Sequence, residues 1–335
     1  MMKLRVVLIK PSKYGDDGSV ARFRKGYMPN ATLYHIASLT PAQIGDVPVT
    51  VHTVDEYVHQ DLDYLRLLQH DPDVVTLLAL VGVQSHQFHR ALDLAAYALH
   101  HGVRHCVIGG PHPVTCDTSL LQGRGVSFAL AEAELVWREI LDDALAGELK
   151  PVYGTDRRWA EYLPDVLINP PSPTDLARYG APVLGIYPVR GCPYRCNYCS
   201  VIKISGRSVR SPSIDSTLES LRRAKRGGVK IIMFVSDNFN KFPQVRELLQ
   251  AMIDERLDLP FHCQCDTQIA KDPELVALLG RARCYEMFVG VESFNRKTLK
   301  AVGKHHNHPA QYSEIVRLCN EAGIRPHFSN IIGFP

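Results

Sequence analysis

Short apolar runs alternate with helical patterns along most of the chain, and this alternation limits the possible folds more than any other feature. In the first 150 residues, five short runs rich in β-branched residues predict strands at 4–10, 47–57, 73–83, 104–112 and 126–134. Residues 86–102 have helical periodicity and end in glycine, a common helix stop signal. Strands alternating with helices form parallel sheets, so residues 1–150 are predicted to form a doubly wound, Rossmann-like α/β domain.

A proline-rich stretch separates this region from a second α/β series. Residues 151–181 include the run Pro-Pro-Ser-Pro, which resists regular structure and predicts a linker between domains. Beyond it, strands are predicted at 183–191, 230–238, 261–267, 284–293 and 325–335. Helical patterns lie between them at 214–228, 243–257, 272–283 and 309–323. Residues 182–335 are therefore predicted to form a second domain, whose chemistry is expected at the carboxyl ends of its strands.

Composition excludes several classes of function. A chain of 335 residues suggests about two domains, and a net charge of +3 gives no argument for nucleic acid or an anionic membrane surface. No apolar run approaches the roughly 18 residues of a membrane span, and the first residues lack the features of a signal peptide. The protein is therefore expected to be cytoplasmic. In that reducing compartment its nine cysteines are not expected to form disulfides, and the clustered ones are expected to bind metal or to do redox work.

Three cysteines stand close together in RGCPYRCNYCS, residues 190–200, with the spacing C-x3-C-x2-C. A structural zinc ion takes four ligands, usually as two pairs, and no second C-x2-C follows. Cys263 and Cys265 could complete a zinc site, but their spacing places both on one face of a strand. An iron–sulfur cluster held by only three thiolates would leave one iron open to another ligand. Cys192, Cys196 and Cys199 are therefore predicted to bind metal, with zinc as the alternative to a cluster.

The motif CPYRCNYC resembles the signature CxxxCxΦC of the radical S-adenosylmethionine (SAM) enzymes, with Tyr198 as the aromatic residue before the last cysteine. The resemblance extends over residues 182–335 and implies a partial (β/α)6 barrel, truncated after its fifth strand. It also implies that the three cysteines bind a [4Fe-4S] cluster whose free iron chelates SAM. Enzymes of this family cleave SAM to a 5′-deoxyadenosyl radical, while the protein orients the reactants and excludes water.

The same resemblance implies where SAM binds. Carried over to this sequence, the family's contacts fall on six residues: Tyr198 beside the adenine, Asp237 and Asn238 toward the methionine end, Glu292 and Ser293 on the ribose hydroxyls, and Gly333 in a segment flanking the adenine. A carboxylate that accepts hydrogen bonds from a diol is sound hydrogen-bond chemistry. The family's GGEP motif does not occur in this sequence.

The first domain lacks a dinucleotide fingerprint, because no G-x-G-x-x-G follows its first strand. Its position ahead of the cysteine motif, its GGPHP and its AEAE resemble the cobalamin-binding domains of cobalamin-dependent radical SAM enzymes. The resemblance implies cobalamin contacts at five residues: Ser85, Gly109, Gly110, Pro111 and His112. Residues 11–19 contain no histidine, so no lower axial histidine is expected from that loop. The histidines of KHHNHP, residues 304–309, are predicted to lie in a substrate-side loop rather than to bind metal.

Three functions stay open at this point. The first is a cobalamin-dependent radical SAM methyltransferase that methylates an unactivated carbon of a small molecule or natural product, using the deoxyadenosyl radical and methylcobalamin. The second uses the same cofactors for a radical cyclisation or rearrangement without methyl transfer. The third is a non-catalytic iron–sulfur or metal-binding fragment. For the two enzymatic hypotheses, the family resemblance implies a flavodoxin or ferredoxin as electron donor.

Overall fold

A computed structural model describes the protein from Met2 to Phe334. The chain divides into two compact units. The first extends to Glu161 and includes Thr174–Gly180, and the second comprises Tyr162–Pro173 and the residues from Ala181 onward. The stretch predicted as a linker is thus shared between the units. Met1 and Pro335 lie outside the described residues, so the last position of the predicted second domain and of its fifth strand is not described.

The first unit contains a seven-stranded sheet. Its strands are β1 (Lys3–Lys10), β2 (Gln43–Ile44), β3 (Val47–Asp55), β4 (Val74–Leu80), β5 (His105–Gly109), β6 (Ser127–Ala129) and β7 (Val152–Tyr153). They lie in the order β2-β3-β1-β4-β5-β6-β7, and all neighbours are parallel except β2 and β3. The chain places β3 on one side of β1 and β4 on the other. Open α/β sheets bind ligands at the carboxyl edge where the strand order reverses in this way.

Helices cover both faces of this sheet. They are α1 (Ala31–Leu39), α2 (Phe88–His100), α3 (Pro111–Thr115), α4 (Ala133–Ala146) and α5 (Pro173–Leu176), with 3-10 turns at Asp63–Leu68, Ser85–Gln87 and Ser119–Leu121. Alternate residues of β1 point to opposite faces, so Leu4, Val6 and Leu8 join one apolar cluster with α1 and α4. Val7 and Ile9 join the other cluster, with α2. Burial on both faces explains why the strands are continuous apolar runs.

The second unit contains a five-stranded parallel sheet in the order β12-β11-β10-β9-β8. Its strands are β8 (Val183–Ile186), β9 (Ile231–Phe234), β10 (Phe261–Cys265), β11 (Cys284–Glu292) and β12 (Arg325–Asn330). Its helices are α6 (Val201–Ile204), α7 (Ile214–Arg226), α8 (Val245–Asp254), α9 (Pro273–Arg281), α10 (Arg296–Ala301) and α11 (Tyr312–Glu321), with 3-10 turns at Phe239–Lys241, Thr267–Lys271 and Pro309–Gln311. Successive strands are neighbours, so their carboxyl ends follow one another along one edge.

Local sequence signals explain where these helices begin. The Ser213 side chain accepts a hydrogen bond from the Ser216 amide and caps α7, whose last turn carries the basic residues Arg223, Lys225 and Arg226. Asp272 caps α9 in the same way, and Pro273 follows at the first helical position. Caps of this kind satisfy amide donors that have no partner within the helix.

Cysteines on the strands of the second sheet pack inside the unit. Cys263 and Cys265 alternate with the half-buried His262 and Gln264, and both are buried. The Sγ of Cys263 lies 3.8 Å from that of Cys284, and Cys319 of α11 is near enough to Cys265 to affect its own pKa. The prediction that Cys263 and Cys265 lie on one face of a strand is confirmed.

All ten predicted strands occur, but several end earlier than predicted. The strand predicted over 126–134 was too long: it ends at Ala129, and α4 begins at Ala133. The strand predicted over 183–191 ends at Ile186, because the chain turns there into the cysteine loop. The two-residue strands β2 and β7 were not predicted, since runs so short leave no pattern. No helix within Met2–Phe334 is both long enough and apolar enough to cross a membrane.

Candidate functional site

The cysteine loop begins after β8, and the residues at its far end form hydrogen bonds with the residues at its start. The backbone of Arg190 exchanges two hydrogen bonds of 2.9 Å with that of Arg210. Gly191 lies between Arg190 and the first cysteine with a φ of +94°, and a Cβ there would stand 2.0 Å from the carbonyl oxygen of Ser208. Only glycine fits a positive φ with backbone that close. The loop geometry is therefore set at Gly191, one residue before Cys192.

The three thiols lie within a short turn. Cys196 is buried, Cys192 and Cys199 are half-buried, and the Cys199 amide donates to the Cys196 carbonyl at 3.2 Å. Burial raises the pKa of Cys192 and of Cys196, and the neighbouring thiols raise both further. Within Met2–Phe334, no three His, Cys, Asp or Glu side chains are grouped to hold a single metal ion. A [4Fe-4S] cluster places each thiolate on a different iron and so needs a wider spacing.

Asp237 and Asn238, just beyond β9, both reach the cysteine loop. The Oδ2 of Asp237 accepts a hydrogen bond of 2.7 Å from the Gly191 amide, so this carboxylate supports the loop. Burial raises the pKa of Asp237, although the bond from Gly191 opposes the shift. The Nδ2 of Asn238 lies 3.9 Å from the Sγ of Cys192, within donor distance of sulfur. Within the described chain, the buried Oγ of the adjacent Ser236 has no hydrogen-bond partner.

A buried carboxylate that the sequence reasoning missed lies next to these residues. Asp266, just after β10, accepts hydrogen bonds from the side-chain amides of Asn238 at 2.8 Å and Asn240 at 3.2 Å. The Nζ of Lys241 lies 3.4 Å from it. Burial acts to raise the pKa of Asp266, but Lys241 and the two amides outweigh burial and lower it. Its signal in the sequence was an acidic residue at the end of a predicted strand.

Glu292 and Lys304 form a buried ion pair at the end of β11. The Nζ of Lys304 lies 2.7 Å from the Oε1 of Glu292, and both side chains are 9% exposed. The pair fills the space above Gly290, where a Cβ would stand 2.7 Å from the Oε1 of Glu292. Lys304 also lies 6.0 Å from the ring centroid of Tyr198. Burial raises the pKa of Tyr198, and Glu292 raises it further. Lys304 is thus a second residue that sequence reasoning missed.

The segment before Lys304 packs against the cysteine loop. The Asn197 amide donates to the Val302 carbonyl at 3.2 Å, and its side-chain amide donates to Ala301 at 3.3 Å. Beyond the lysine, the ring of His306 stacks on Tyr194 with centroids 3.5 Å apart. Burial lowers the pKa of His306 to about 4, so the ring is neutral near pH 7. KHHNHP is therefore a loop that covers one side of the cysteine loop.

Two of the predicted SAM contacts, Ser293 and Gly333, lie at the edge of the group of residues around the cysteine loop. The Oγ of Ser293 accepts a hydrogen bond from the Asn295 amide at 3.1 Å, which turns the chain into α10. Gly333 is exposed and has a φ of +101°. Its neighbour Phe334 lies 5.1 Å from Tyr198, ring centroid to ring centroid. Tyr198, Asn238 and Glu292 are therefore grouped around the cysteine loop, whereas Ser293 and Gly333 are tied to it only through neighbours.

In the first unit, the five predicted cobalamin contacts lie together at the carboxyl edge of β4 and β5. The Nδ1 of His112 lies 3.0 Å from the Oγ of Ser85, and its ring is 4.0 Å from that of Phe88. Gly110 has a φ of +132°, and a Cβ there would stand 2.2 Å from the Val83 amide nitrogen. Pro111 begins α3 directly after this glycine. The glycine at position 110 therefore lets this loop pack directly against the backbone of Gly82 and Val83.

An apolar cavity of about 130 Å³ lies beneath this edge. Small residues form much of its wall, among them Gly82, Gly109, Gly110, Ala129 and Ala131. Trp137 of α4 and Ile36 of α1 also line it. The cavity thus lies between the sheet and the helices of this unit, with an almost wholly apolar lining.

Lys10 occupies the end of β1, where the strand order reverses. It is buried, and its Nζ donates to the Oε1 of Gln87 at 2.6 Å and to the carbonyl of Gly82. Burial lowers the pKa of Lys10 to about 8, although Asp55 on the neighbouring strand opposes the shift. Sequence reasoning noted the missing histidine after β1 but overlooked this lysine.

A family model described as the Radical SAM superfamily matches residues 186–335. A bacteriochlorophyllide d C-12(1)-methyltransferase of Chlorobaculum tepidum is 29% identical over 239 residues, which are 68% of this chain and 50% of that protein. A bacteriochlorophyllide d C-8(2)-methyltransferase of the same organism is 25% identical over 314 residues, 87% of this chain and 65% of that protein. The chain spans about half to two thirds of the length of these relatives.

The chain is also similar to a solved structure over its full length. The radical S-adenosylmethionine methyltransferase TsrM of Kitasatospora setae, with cobalamin and a [4Fe-4S] cluster bound, superposes with a TM-score of 0.76. The match covers 100% of this chain and 70% of that one at 16% sequence identity. At this identity the similarity supports the fold alone, a mixed α/β fold with parallel sheets.

Proposed function

Because residues 186–335 belong to the radical SAM superfamily, we propose that the chain carries the cofactor-binding domains of a cobalamin-dependent radical SAM enzyme. The enzyme methylates an unactivated carbon of a small molecule. The named relatives are methyltransferases, which supports methyl transfer over cyclisation or rearrangement. The observation that carries the proposal is the cysteine loop at the carboxyl edge of a parallel sheet, with buried polar side chains around it.

The donor set of this loop fits a [4Fe-4S] cluster. Cys192, Cys196 and Cys199 supply three thiolates from one turn, and no fourth cysteine lies in the loop to close the remaining iron. When bound, the cluster supplies the electron that cleaves SAM. The buried Oγ of Ser236 is an available hydrogen-bonding group at the same strand end. Positive charge near the cysteines favours their thiolate forms, and Lys304 supplies it beside Cys196.

SAM is proposed to bind between Tyr198, Asn238 and the Glu292–Lys304 pair. Tyr198 offers a ring face for the adenine, and Glu292 offers carboxylate oxygens to the ribose hydroxyls. Asp237 and Ser293 hold the neighbouring backbone, and Gly333 leaves room beside Tyr198. Lys304 adds a cation that the methionine carboxylate of SAM can face. Residues 182–335 are proposed to form a partial (β/α)6 barrel around this site.

Cobalamin is proposed to bind at the carboxyl edge of the first sheet. Gly110 lets its loop pack against the backbone of Gly82 and Val83, and the apolar cavity that Gly109 and Gly110 line is proposed to accept an apolar part of the ligand. Ser85, Pro111 and His112 lie at the same edge and offer polar contacts. Residues 1–150 are accordingly proposed as the cobalamin-binding domain. We further propose that the protein is cytoplasmic and that a flavodoxin or ferredoxin is its electron donor.

The test is SAM turnover by the anaerobically reconstituted chain. Under reduction, the protein is expected to release 5′-deoxyadenosine from SAM, and a variant with Cys192, Cys196 and Cys199 changed to alanine is expected to release none. Label from the SAM methyl group should become bound to cobalamin only in the presence of the protein. Cleavage of SAM without any transfer of the methyl label would exclude the methyltransferase, and the absence of cleavage would exclude the radical SAM enzyme.

A further inference from the structure

The side chain of Asn238 has all three of its polar positions occupied by specific partners. One Nδ2 hydrogen faces the Oδ2 of Asp266 at 2.8 Å, and the other faces the Sγ of Cys192 at 3.9 Å. The Oδ1 accepts a hydrogen bond of 3.2 Å from the backbone amide of Asp266. A primary amide has two donor hydrogens and one acceptor oxygen. The Asn238 amide therefore directs an N–H at the Cys192 sulfur only in the orientation that its hydrogen bonds with Asp266 impose.

The reversed orientation is strongly disfavoured. Rotating the amide by 180° would place its oxygen against the Asp266 carboxylate and the Cys192 sulfur, and its NH₂ group against the Asp266 amide. Three favourable contacts would become repulsive ones in a buried setting, where Asn238 is 3% and Asp266 is 6% exposed. Asp266 remains ionised, because Lys241 and two amides lower its pKa despite burial. The orientation of the Asn238 N–H is thus fixed before any ligand binds.

We propose that Asn238 donates an N–H hydrogen bond to the Cys192 thiolate and so raises the reduction potential of the cluster, with Asp266 as the positioning residue. Reduction adds one electron, and therefore one negative charge, to the cluster. A donor aimed at a ligand sulfur stabilises the more negative state, and such hydrogen bonds are one of the protein's means of setting the potential. The inference rests on the proposed function only for the presence of the cluster.

Asn240 provides a matched control in the same network. Its Nδ2 donates to the Oδ1 of Asp266 at 3.2 Å, and its Oδ1 accepts from the Asp266 amide at 2.9 Å. It therefore binds the same carboxylate and the same amide as Asn238 does. No hydrogen bond to a cysteine is found for Asn240 among the described residues. A change at Asn240 disturbs Asp266 without removing the donor to sulfur.

The test is a potentiometric titration of the reconstituted chain with dithionite, followed by the electron paramagnetic resonance of the reduced cluster. Asn238→Ala is expected to shift the midpoint potential to more negative values. Asn238→Asp keeps the shape but places a carboxylate near the sulfur, so its shift should be larger. Asp266→Asn removes a negative charge, which by itself raises the potential, and also the orientation of the Asn238 amide, which lowers it. It should therefore raise the potential less in the wild type than in the Asn238→Ala background, whereas Asn240→Ala should leave the potential unchanged. Iron content is measured for each variant.

Equal midpoint potentials for wild type and Asn238→Ala, at equal iron content, would overturn the inference. An equal shift in Asn240→Ala would also overturn it, because that variant keeps the donor to sulfur. If both Asn238 variants fold but bind no cluster, Asn238 holds the cluster rather than tunes it, and the inference is again wrong. A wild-type chain without any cluster signal would instead refute the proposed function.

Discussion

Lys304 and Glu292 face each other beside the cysteine loop, with both side chains 9% exposed. A buried ion pair contributes little net stability, but removing one partner leaves the other charge buried and unpaired in a low-dielectric site. Gly290 leaves the space that the pair needs, because a Cβ there would contact both charged groups. The glycine, the lysine and the carboxylate therefore act as one unit at the end of β11.

Lys304→Met is expected to lower the free energy of unfolding of the second unit by about 3 kcal/mol, because it leaves Glu292 buried without its partner. Adding Glu292→Gln should recover part of that loss. Chemical denaturation of both variants measures the two effects. Lys300→Met, the same change at an exposed lysine of α10, serves as the control. Equal losses for Lys300→Met and Lys304→Met would contradict the assignment.

Gly191→Ala is expected to reduce the iron bound per chain, because its Cβ would stand 2.0 Å from the Ser208 carbonyl and displace the cysteine loop. Gly228→Ala is the control. Gly228 also has a positive φ, +87°, but nothing lies within 4 Å of the added Cβ. The same backbone strain without the collision should leave the iron content at the wild-type value. Iron analysis after anaerobic reconstitution measures both variants, and full iron in Gly191→Ala would refute the collision argument.

At the scale of elements, Glu56 joins three segments of the first unit. It follows β3 and accepts hydrogen bonds from Arg90 of α2 at 3.0 and 3.1 Å, from the Tyr64 hydroxyl at 2.7 Å, and from the Ser12 amide beyond β1 at 3.0 Å. Burial acts to raise the pKa of Glu56, but these donors outweigh burial and lower it below its ordinary value of 4.5. The ionised form is therefore the one that the fold stabilises.

A carboxyl group with a depressed pKa stabilises the fold above its ordinary pKa, and this contribution is lost as the pH falls through the depressed value. Glu56→Gln should thus lower the stability of the first unit by about 3 kcal/mol at pH 7, by leaving Arg90 unpaired. The difference from wild type should shrink below pH 4.5, where wild type loses its own contribution. Denaturant titrations across this pH range measure the slope. Glu139→Gln, which breaks an exposed ion pair with Lys150, should change the stability little. A loss of stability in Glu56→Gln that does not vary with pH would refute the account.

The elements of the fold were largely predictable, because parallel strands buried on both faces appear as apolar runs. The strand ends were not, since they depend on where the chain turns to bring Gly191, Asp237 and Asn238 together. Within the site, the spacing of the cysteines predicted their grouping. Lys304 could not be predicted to join them, because it approaches through a tertiary contact. Asp266 stands near the end of a predicted strand, but its hydrogen bonds with Asn238 and Asn240 are tertiary contacts that no local pattern predicts.

At the scale of the whole molecule, two α/β units carry two different kinds of site. The first has an apolar cavity lined by glycines at the carboxyl edge of its sheet, and the second carries three thiols among buried polar groups. The order of the units along the chain was predictable from the proline-rich stretch between the two series of strands. The chain spans about half to two thirds of the length of the two bacteriochlorophyllide methyltransferases.

The central claim is that this one chain binds both a [4Fe-4S] cluster and cobalamin, each in its own unit. Anaerobic reconstitution with iron, sulfide and cobalamin, followed by iron and corrinoid analysis, tests it most directly. The account predicts about four irons and about one corrinoid per chain. Alanine in place of Cys192, Cys196 and Cys199 should abolish iron binding and leave corrinoid binding intact. A chain that retains no corrinoid, or a triple variant that binds as much iron as wild type, would contradict the account.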